Sequence, residues 1–305
     1  MAFELPVVDA ASLAAWCEGQ LGSPAETELF RAGHLASVIG ARLADGREVV
    51  VKVQQAAPRI AACTIVQRRL FDCGYRCPQP LAGPAPLGDY VGTAESYRPG
   101  GDMLPESGRA AQPFAAALAH LVSLAPRPDQ VPSLSPAPPW TAWNHCEGGL
   151  WPWPDDMDVD LNQVDGAGWI DAVGEAARQK LRTGPDQAVV GHGDWITDNL
   201  RWHGSRLLVA YDWDSLISDS EAAIAGFASA VYLPSPPSIA ETTDFLDAYA
   251  AARRRPFSAA ELQCCWAAGV WTRAFDAKKE HAAGRPVVSL TEDEARARLR
   301  RAGLH

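Results

Sequence analysis

Val189-Val190-Gly191-His192-Gly193-Asp194-Trp195-Ile196-Thr197-Asp198-Asn199-Leu200 is followed by Arg206-Leu207-Leu208-Val209-Ala210-Tyr211-Asp212-Trp213-Asp214. A short apolar run of strand character delivers a His-Gly-Asp turn, an Asn stands five residues beyond that Asp, and a second apolar run ends on another Asp. These are the groups that phosphoryl transfer requires. Its transition state is loose, so the protein's task is to position the reactants and to neutralise charge on the phosphates. Asp194 fits the carboxylate that orients an attacking hydroxyl and accepts its proton. Asn199 and Asp212 fit the amide and carboxylate that hold magnesium, a hard cation preferring oxygen ligands. An unperturbed Asp, with a pKa of about 3.9, is ionised at neutral pH, and this is the expectation for Asp194. Gly193 permits a tight turn, and His192 is expected to brace the loop rather than to act in the chemistry. Asp198 and Asp214 read as supporting residues, Asp214 with the option of a further metal contact.

Taken together, His192-Gly193-Asp194-x-x-x-x-Asn199 and Tyr211-Asp212-Trp213-Asp214 resemble the catalytic and metal motifs of the aminoglycoside phosphotransferase-like family. Members are small-molecule kinases with a protein-kinase-like fold. The resemblance implies that Asp194 is the catalytic aspartate, that Asn199 and Asp212 are magnesium ligands, and that ATP or GTP is the phosphoryl donor. Glu221 and the apolar, glycine-containing stretch after it are similar to the segment that follows the metal aspartate in that family.

Working towards the N-terminus, Val38-Ile39-Gly40-Ala41-Arg42-Leu43 and Glu48-Val49-Val50-Val51-Lys52-Val53 flank Asp45-Gly46, a turn pair favoured in hairpins. Residues 58–72 read as a helix closed by Gly74, and residues 81–97 as short strands. Lys52 is similar to the strand lysine that pairs with the nucleotide phosphates in the family. The segment 31–38, with Gly33 and Ser37, lies where a phosphate-covering loop would sit, so its backbone amides and the Ser37 hydroxyl are expected to cradle phosphate. Glu95 and Tyr97 fall in the expected hinge, where main-chain groups meet the purine. The resemblance covers roughly residues 25–280. It has one departure. Related kinases pair the strand lysine with a glutamate on the following helix, but residues 58–71 contain no acidic side chain. Gln67 is the best-placed polar substitute, and an amide supplies no opposite charge.

Beyond Arg98-Pro99-Gly100-Gly101-Asp102, which breaks the strand pattern, the chain turns helical. Helices are expected over 110–124, 168–182, 221–232, 239–253, 258–279 and 292–301, with a proline-studded stretch at 126–139. Arg273, Lys278 and Lys279 are expected to point outward from an amphipathic helix, and 292–301 to present a solvated charged face. The expected architecture is α+β and two-lobed, protein-kinase-like. Residues 1–97 would form a β-rich nucleotide-binding lobe and 98–305 a larger helical lobe carrying the catalytic and substrate site.

Composition sets the class. The chain has 305 residues, 47% hydrophobic and 21% charged, ordinary for a globular protein large enough for two lobes. A formal net charge of −10 argues against nucleic acid as a partner and leaves room for a cationic substrate. No basic, apolar leader pattern is read at the N-terminus, and no apolar run is long enough to span a bilayer. Seven scattered cysteines fit free thiols in a reducing cytoplasm. Between helical segments, Trp140, Trp143, Trp151 and Trp153 stand near Asp155, Asp156, Asp158 and Asp160. Aromatic faces and carboxylates would suit an amine-rich acceptor; a tryptophan-anchored loop with a solvated acidic rim is the alternative. The leading expectation is a small-molecule kinase acting on an antibiotic of the aminoglycoside or cyclic-peptide type. A metabolic kinase for an amino alcohol, sugar or amino acid is the second, and a nucleotide-binding pseudokinase regulator the third.

Overall fold

The β-branched run Val49-Val50-Val51 forms the centre of a strand because alternate side chains meet two different environments. In the computed structural model, which describes residues 5–104, 110–185 and 187–304, Val49, Val51 and Val53 are fully buried while Val50, Lys52 and Gln54 lie on the other face. The leader reading rests partly on residues 1–4, which lie outside the described residues.

The N-terminal region opens with helix α1 (Ala10–Leu21), capped by Asp9, whose carboxylate accepts the Ser12 amide at 2.8 Å. A five-stranded antiparallel sheet follows: β1 (Ala25–Ala32), β2 (Ser37–Leu43), β3 (Glu48–Gln54), β4 (Pro80–Leu87) and β5 (Tyr90–Ser96), in the order β1-β2-β3-β5-β4. Leu13, Trp16 and Cys17 of α1 pack with Ile39, Ala41, Leu43, Val49, Val51 and Val53 in a core of their own. One sheet face is thereby closed, and the face bearing Lys52 is left to the cleft. Helix α2 (Pro58–Asp72) connects β3 to β4 and turns Ala62, Cys63, Val66 and Leu70 into the larger second core.

The remainder is mostly helical: α3 (Ala111–Leu124), α4 (Gly168–Arg182), α5 (Glu221–Val231), α6 (Ile239–Ala252), α7 (Ala259–Ala282) and α8 (Glu292–Arg301). Residues 126–163 hold short 3-10 turns in place of longer elements. Two small antiparallel pairs lie among the helices, β6 (Ala188–His192) with β9 (Leu216–Ser220) and β7 (Leu200–His203) with β8 (Arg206–Ala210). α5 crosses α7 so closely that a Cβ on Gly226 would fall 2.2 Å from the Cys265 carbonyl oxygen.

The outward charges expected on α7 are overturned, and α8 presents its expected solvated charged face with Arg298 as the exception. Arg273 and Lys278 of α7 are 2% and 1% exposed, and Arg298 of α8 is fully buried. Each interior cation is partnered, as burial of charge demands. Lys278 meets Asp171 at 2.9 Å and the Val164 carbonyl, while Arg273 and Arg298 share Glu294 at 2.7–2.9 Å. Among the described residues no helix is long and apolar enough to cross a membrane.

Candidate active site

β6 ends on His192 and the chain turns at Gly193, whose amide bonds the Ser215 carbonyl at 2.7 Å and ties the loop to the segment after Asp212. His192 is fully buried, and burial lowers its pKa. Its Nδ1 accepts the Asp194 amide while Nε2 faces the Tyr211 carbonyl, both at 3.2 Å, and this pairing selects the neutral Nε2–H tautomer. His192 therefore braces two loops, as expected.

Asp194 and Asn199 are joined directly. The Asn199 Nδ2 donates to the Asp194 carboxylate at 2.8 Å and to its main-chain carbonyl at 3.0 Å. The amide's own oxygen is thereby available as an acceptor for a hard cation. The Tyr211 amide bonds the Asn199 carbonyl at 2.8 Å, so the β7–β8 hairpin sets Asp212 beside Asn199. Asp212 takes a left-handed conformation, φ 58° and ψ 54°, unusual for a residue with a Cβ and tolerated by Asp better than by most. The turn ends β8 and directs the chain into the 3-10 segment at Trp213–Ser215.

Lys52 reaches across from the sheet. Its ammonium lies 2.8 Å from Asp212 Oδ1 and 2.7 Å from Asp214 Oδ2. The second Asp212 oxygen accepts the Ser215 hydroxyl at 2.5 Å. Burial disfavours the Lys52 ammonium, but the two carboxylates outweigh it and raise its pKa. Burial works against the Asp212 carboxylate too, yet Lys52 holds its pKa below the usual range. Asp194 behaves differently. Burial, reinforced by the Asp212 charge, pushes its pKa up to about 7, against the ordinary value expected from sequence. A carboxylate poised near neutrality can accept a proton as well as orient its donor.

The cleft between sheet and helices contains two adjoining cavities, of about 1060 and 640 Å³. Lys52, Asp212 and Asp214 line both; Asp194 lines the larger, and Asn199, Gln67, Glu95 and Tyr97 the smaller. Gly33 lines the larger with φ 147°, where a Cβ would fall 1.9 Å from the Ala36 oxygen. Gln67 does not touch Lys52: its Nε2 donates to Glu95 Oε2 at 2.6 Å and to the Pro78 carbonyl.

Four expected ligand contacts are corrected. Ser37 stands opposite Val53 on the α1-covered face, and its hydroxyl donates to the Pro6 carbonyl; Val38, opposite Lys52, takes the cleft position. Trp151 is 1% exposed, packed on Trp271 at 5.2 Å and bonded to Asp171, so it is a core residue. Trp153 and Asp158 lie outside both cavity linings. Asp155 and Asp156 do line the larger cavity, with Asp156 paired to Lys279 at 2.6 Å.

Residues given no site role from sequence, Asp276 and Arg59 among them, complete the site together with some read differently there. Asp276 lines the larger cavity, and burial, partly offset by Lys279, pushes its pKa up to about 6. Arg273, Asp276 and Lys279 recur every third residue on α7 and all line the cleft. That spacing marks a face, and the face is turned inward. Trp140 donates its indole N–H to the Gly193 carbonyl at 2.9 Å, and Arg59 holds the Asp214 and Leu216 carbonyls at 2.9 and 2.8 Å. Asp214 is a Lys52 partner in addition to being a supporting residue.

The sequence from residue 26 to 257 matches the family model described as the phosphotransferase enzyme family, APH. Among solved structures, the chain is similar to a spectinomycin phosphotransferase determined with ADP and spectinomycin, at TM-score 0.61 and 14% identity over 97% of this chain and 94% of that one. It is also similar to an amicoumacin kinase, at TM-score 0.60 and 14% identity over 90% and 86%. A macrolide 2'-phosphotransferase from Brachybacterium faecium gives TM-score 0.54 and 15% identity over 96% and 97%. At these identities the structural likeness concerns the fold, which is protein-kinase-like. No curated protein shows significant sequence similarity to the chain. With the transfer motifs brought into one cleft and the family match spanning most of the sequence, the chain belongs to the phosphotransferase enzyme family.

Proposed function

We propose that the protein transfers the γ-phosphoryl group of ATP or GTP, bound with magnesium, to a hydroxyl of a polar, cationic small molecule. The observation that supports this best is the two pairs Lys52–Asp212 and Asn199–Asp194, an ion pair and a hydrogen bond whose four side chains, from both halves of the chain, line one cleft. Residues 1–97 serve as the nucleotide lobe and 98–305 as the catalytic lobe. All seven cysteines are free, which suits a reducing cytoplasm.

The donor set fits magnesium. Asn199 offers its amide oxygen, and Asp212 is a carboxylate held ionised. Among the described residues no cluster of three or more His, Cys, Asp or Glu side chains could hold a metal, so two side chains would share the ion with phosphate oxygens and water. Bound there, magnesium supplies charge neutralisation on the phosphates. Asp194 then orients the acceptor hydroxyl towards the γ-phosphorus. As the new P–O bond forms and the bond to the nucleotide's bridging oxygen breaks, the hydroxyl proton passes to Asp194. Lys52 steadies the departing phosphates, and Gly33 lets the β1–β2 loop backbone approach them.

The acceptor end combines carboxylates with an apolar wall. Asp155, Asp156 and Asp276 line the larger cavity together with Pro136, Pro138, Pro139 and Trp140. Aromatic faces and carboxylates suit ammonium groups, and an antibiotic of the aminoglycoside or cyclic-peptide type is the first candidate. The absent helix glutamate, which favoured a non-catalytic nucleotide binder, weighs less once Lys52 is seen to hold two carboxylate partners. The test is magnesium-dependent phosphate transfer from ATP and GTP across a panel of aminoglycosides, peptide antibiotics, amino alcohols and sugars. Transfer to a polycationic antibiotic is expected. Transfer to amino alcohols or sugars alone would replace it with the metabolic reading, and nucleotide binding without transfer to any acceptor with the regulator.

A further inference from the structure

The carboxylate absent from α2 has a counterpart on the neighbouring strand, β5. In the β3–β5 ladder Lys52 stands opposite Thr93 and Val50 opposite Glu95, so Lys52 and Glu95 leave the sheet on the same face as diagonal neighbours. Diagonal pairs sit roughly 7–8 Å apart at the backbone, within reach of long side chains. Gln67, 6% exposed on α2, fixes the Glu95 carboxylate through its 2.6 Å hydrogen bond and is anchored in turn by the Pro78 carbonyl. Glu95, Gln67, Lys52, Asn199 and Asp212 line one cavity.

Both Asp212 oxygens are engaged, one by Lys52 and the other by Ser215. A metal on Asp212 would compete with Lys52 for the same carboxylate; Glu95 is a carboxylate on the lysine's own sheet face that is not among the expected metal ligands. We propose that Glu95 is a positioning residue for Lys52 in the nucleotide-bound enzyme, with Gln67 orienting its carboxylate. The strand supplies the charge and the helix supplies the amide. Burial raises the Glu95 pKa to about 7 while Gln67 and Lys52 oppose the shift, as expected for a carboxylate whose ionised form these two partners support.

The inference rests on the nucleotide reading above, and the experiment separates the two. Affinity for a magnesium-bound, non-hydrolysable ATP analogue and for adenosine is measured by calorimetry in the wild type, in Glu95→Gln, and in the exchanged pair Gln67→Glu with Glu95→Gln. Loss of one charge-assisted contact predicts about tenfold weaker triphosphate binding in Glu95→Gln. Adenosine binding should stay unchanged, and the exchanged pair should recover to within about threefold of wild type. Equal triphosphate affinity in Glu95→Gln and wild type, equal losses for adenosine and triphosphate, or an exchanged pair as weak as the single variant would overturn it. A wild type that binds no nucleotide would remove the functional reading and this inference with it.

Discussion

The two ends of the cleft are built on different terms. At the transfer end Asn199 holds Asp194 at 2.8–3.0 Å and Lys52 holds Asp212 at 2.8 Å and Asp214 at 2.7 Å. At the acceptor end Asp155, Asp156 and Asp276 line a larger space beside prolines and Trp140, and their charge is partly answered by Lys279. Chemistry that tolerates little displacement is locked by mutual contacts. In the proposed reading, recognition of an acceptor falls to groups that leave room between them.

That contrast can be broken. The largest effect is expected from Asp194→Asn: transfer should fall about 10³-fold, within the range for loss of a positioned acid–base group, while nucleotide affinity changes less than about threefold. Steady-state transfer rates and nucleotide calorimetry check it, and an unchanged rate would detach Asp194 from the chemistry. Trp151→Ala addresses the boundary between site and core. It should cost about 3–5 kcal/mol of unfolding free energy in denaturant titrations, and kcat of the folded enzyme should stay within about twofold. A variant of full stability with a raised acceptor KM would return Trp151 to the recognition surface. Asp276→Asn should raise the KM for a cationic acceptor about tenfold, because it removes one charged contact from the acceptor end, and should change kcat less than KM. The smallest effect is expected from Trp153→Ala. Trp153 is 49% exposed and lies outside both cavity linings, so KM and stability should each stay within about twofold, or about 0.4 kcal/mol.

The same division explains what was legible in the sequence. Asp194, Asn199 and Asp212 are close in the chain, and their spacing and flanking strands made their meeting in one cleft legible. Lys52 was legible from its valine-flanked strand, while the face that carries it is set by the burial of Val49, Val51 and Val53. Ser37 was misplaced by one residue of register. A two-residue Asp45-Gly46 turn would set Ser37 opposite Gln54, on the Lys52 face; the Leu43 amide instead bonds the Arg47 carbonyl, the turn spans Ala44 to Gly46, and Ser37 meets Val53. The acceptor end draws on Asp155 and Asp156, on 136–140 and on α7, segments whose meeting depends on helix packing and not on local pattern. Charges on α7 were read as solvated because partners such as Asp171 and Glu294 arrive from distant elements. The Glu95–Gln67 pair was hidden for the same reason, since only the packing of α2 against the sheet brings the two together.

The most direct measurement is a crystal structure with magnesium and a non-hydrolysable ATP analogue. The account predicts one triphosphate in the cleft, its metal bound by Asn199 and Asp212, with Lys52 on the phosphates and Asp194 facing the γ-phosphorus. A triphosphate bound elsewhere, or a metal touching neither Asn199 nor Asp212, would contradict it.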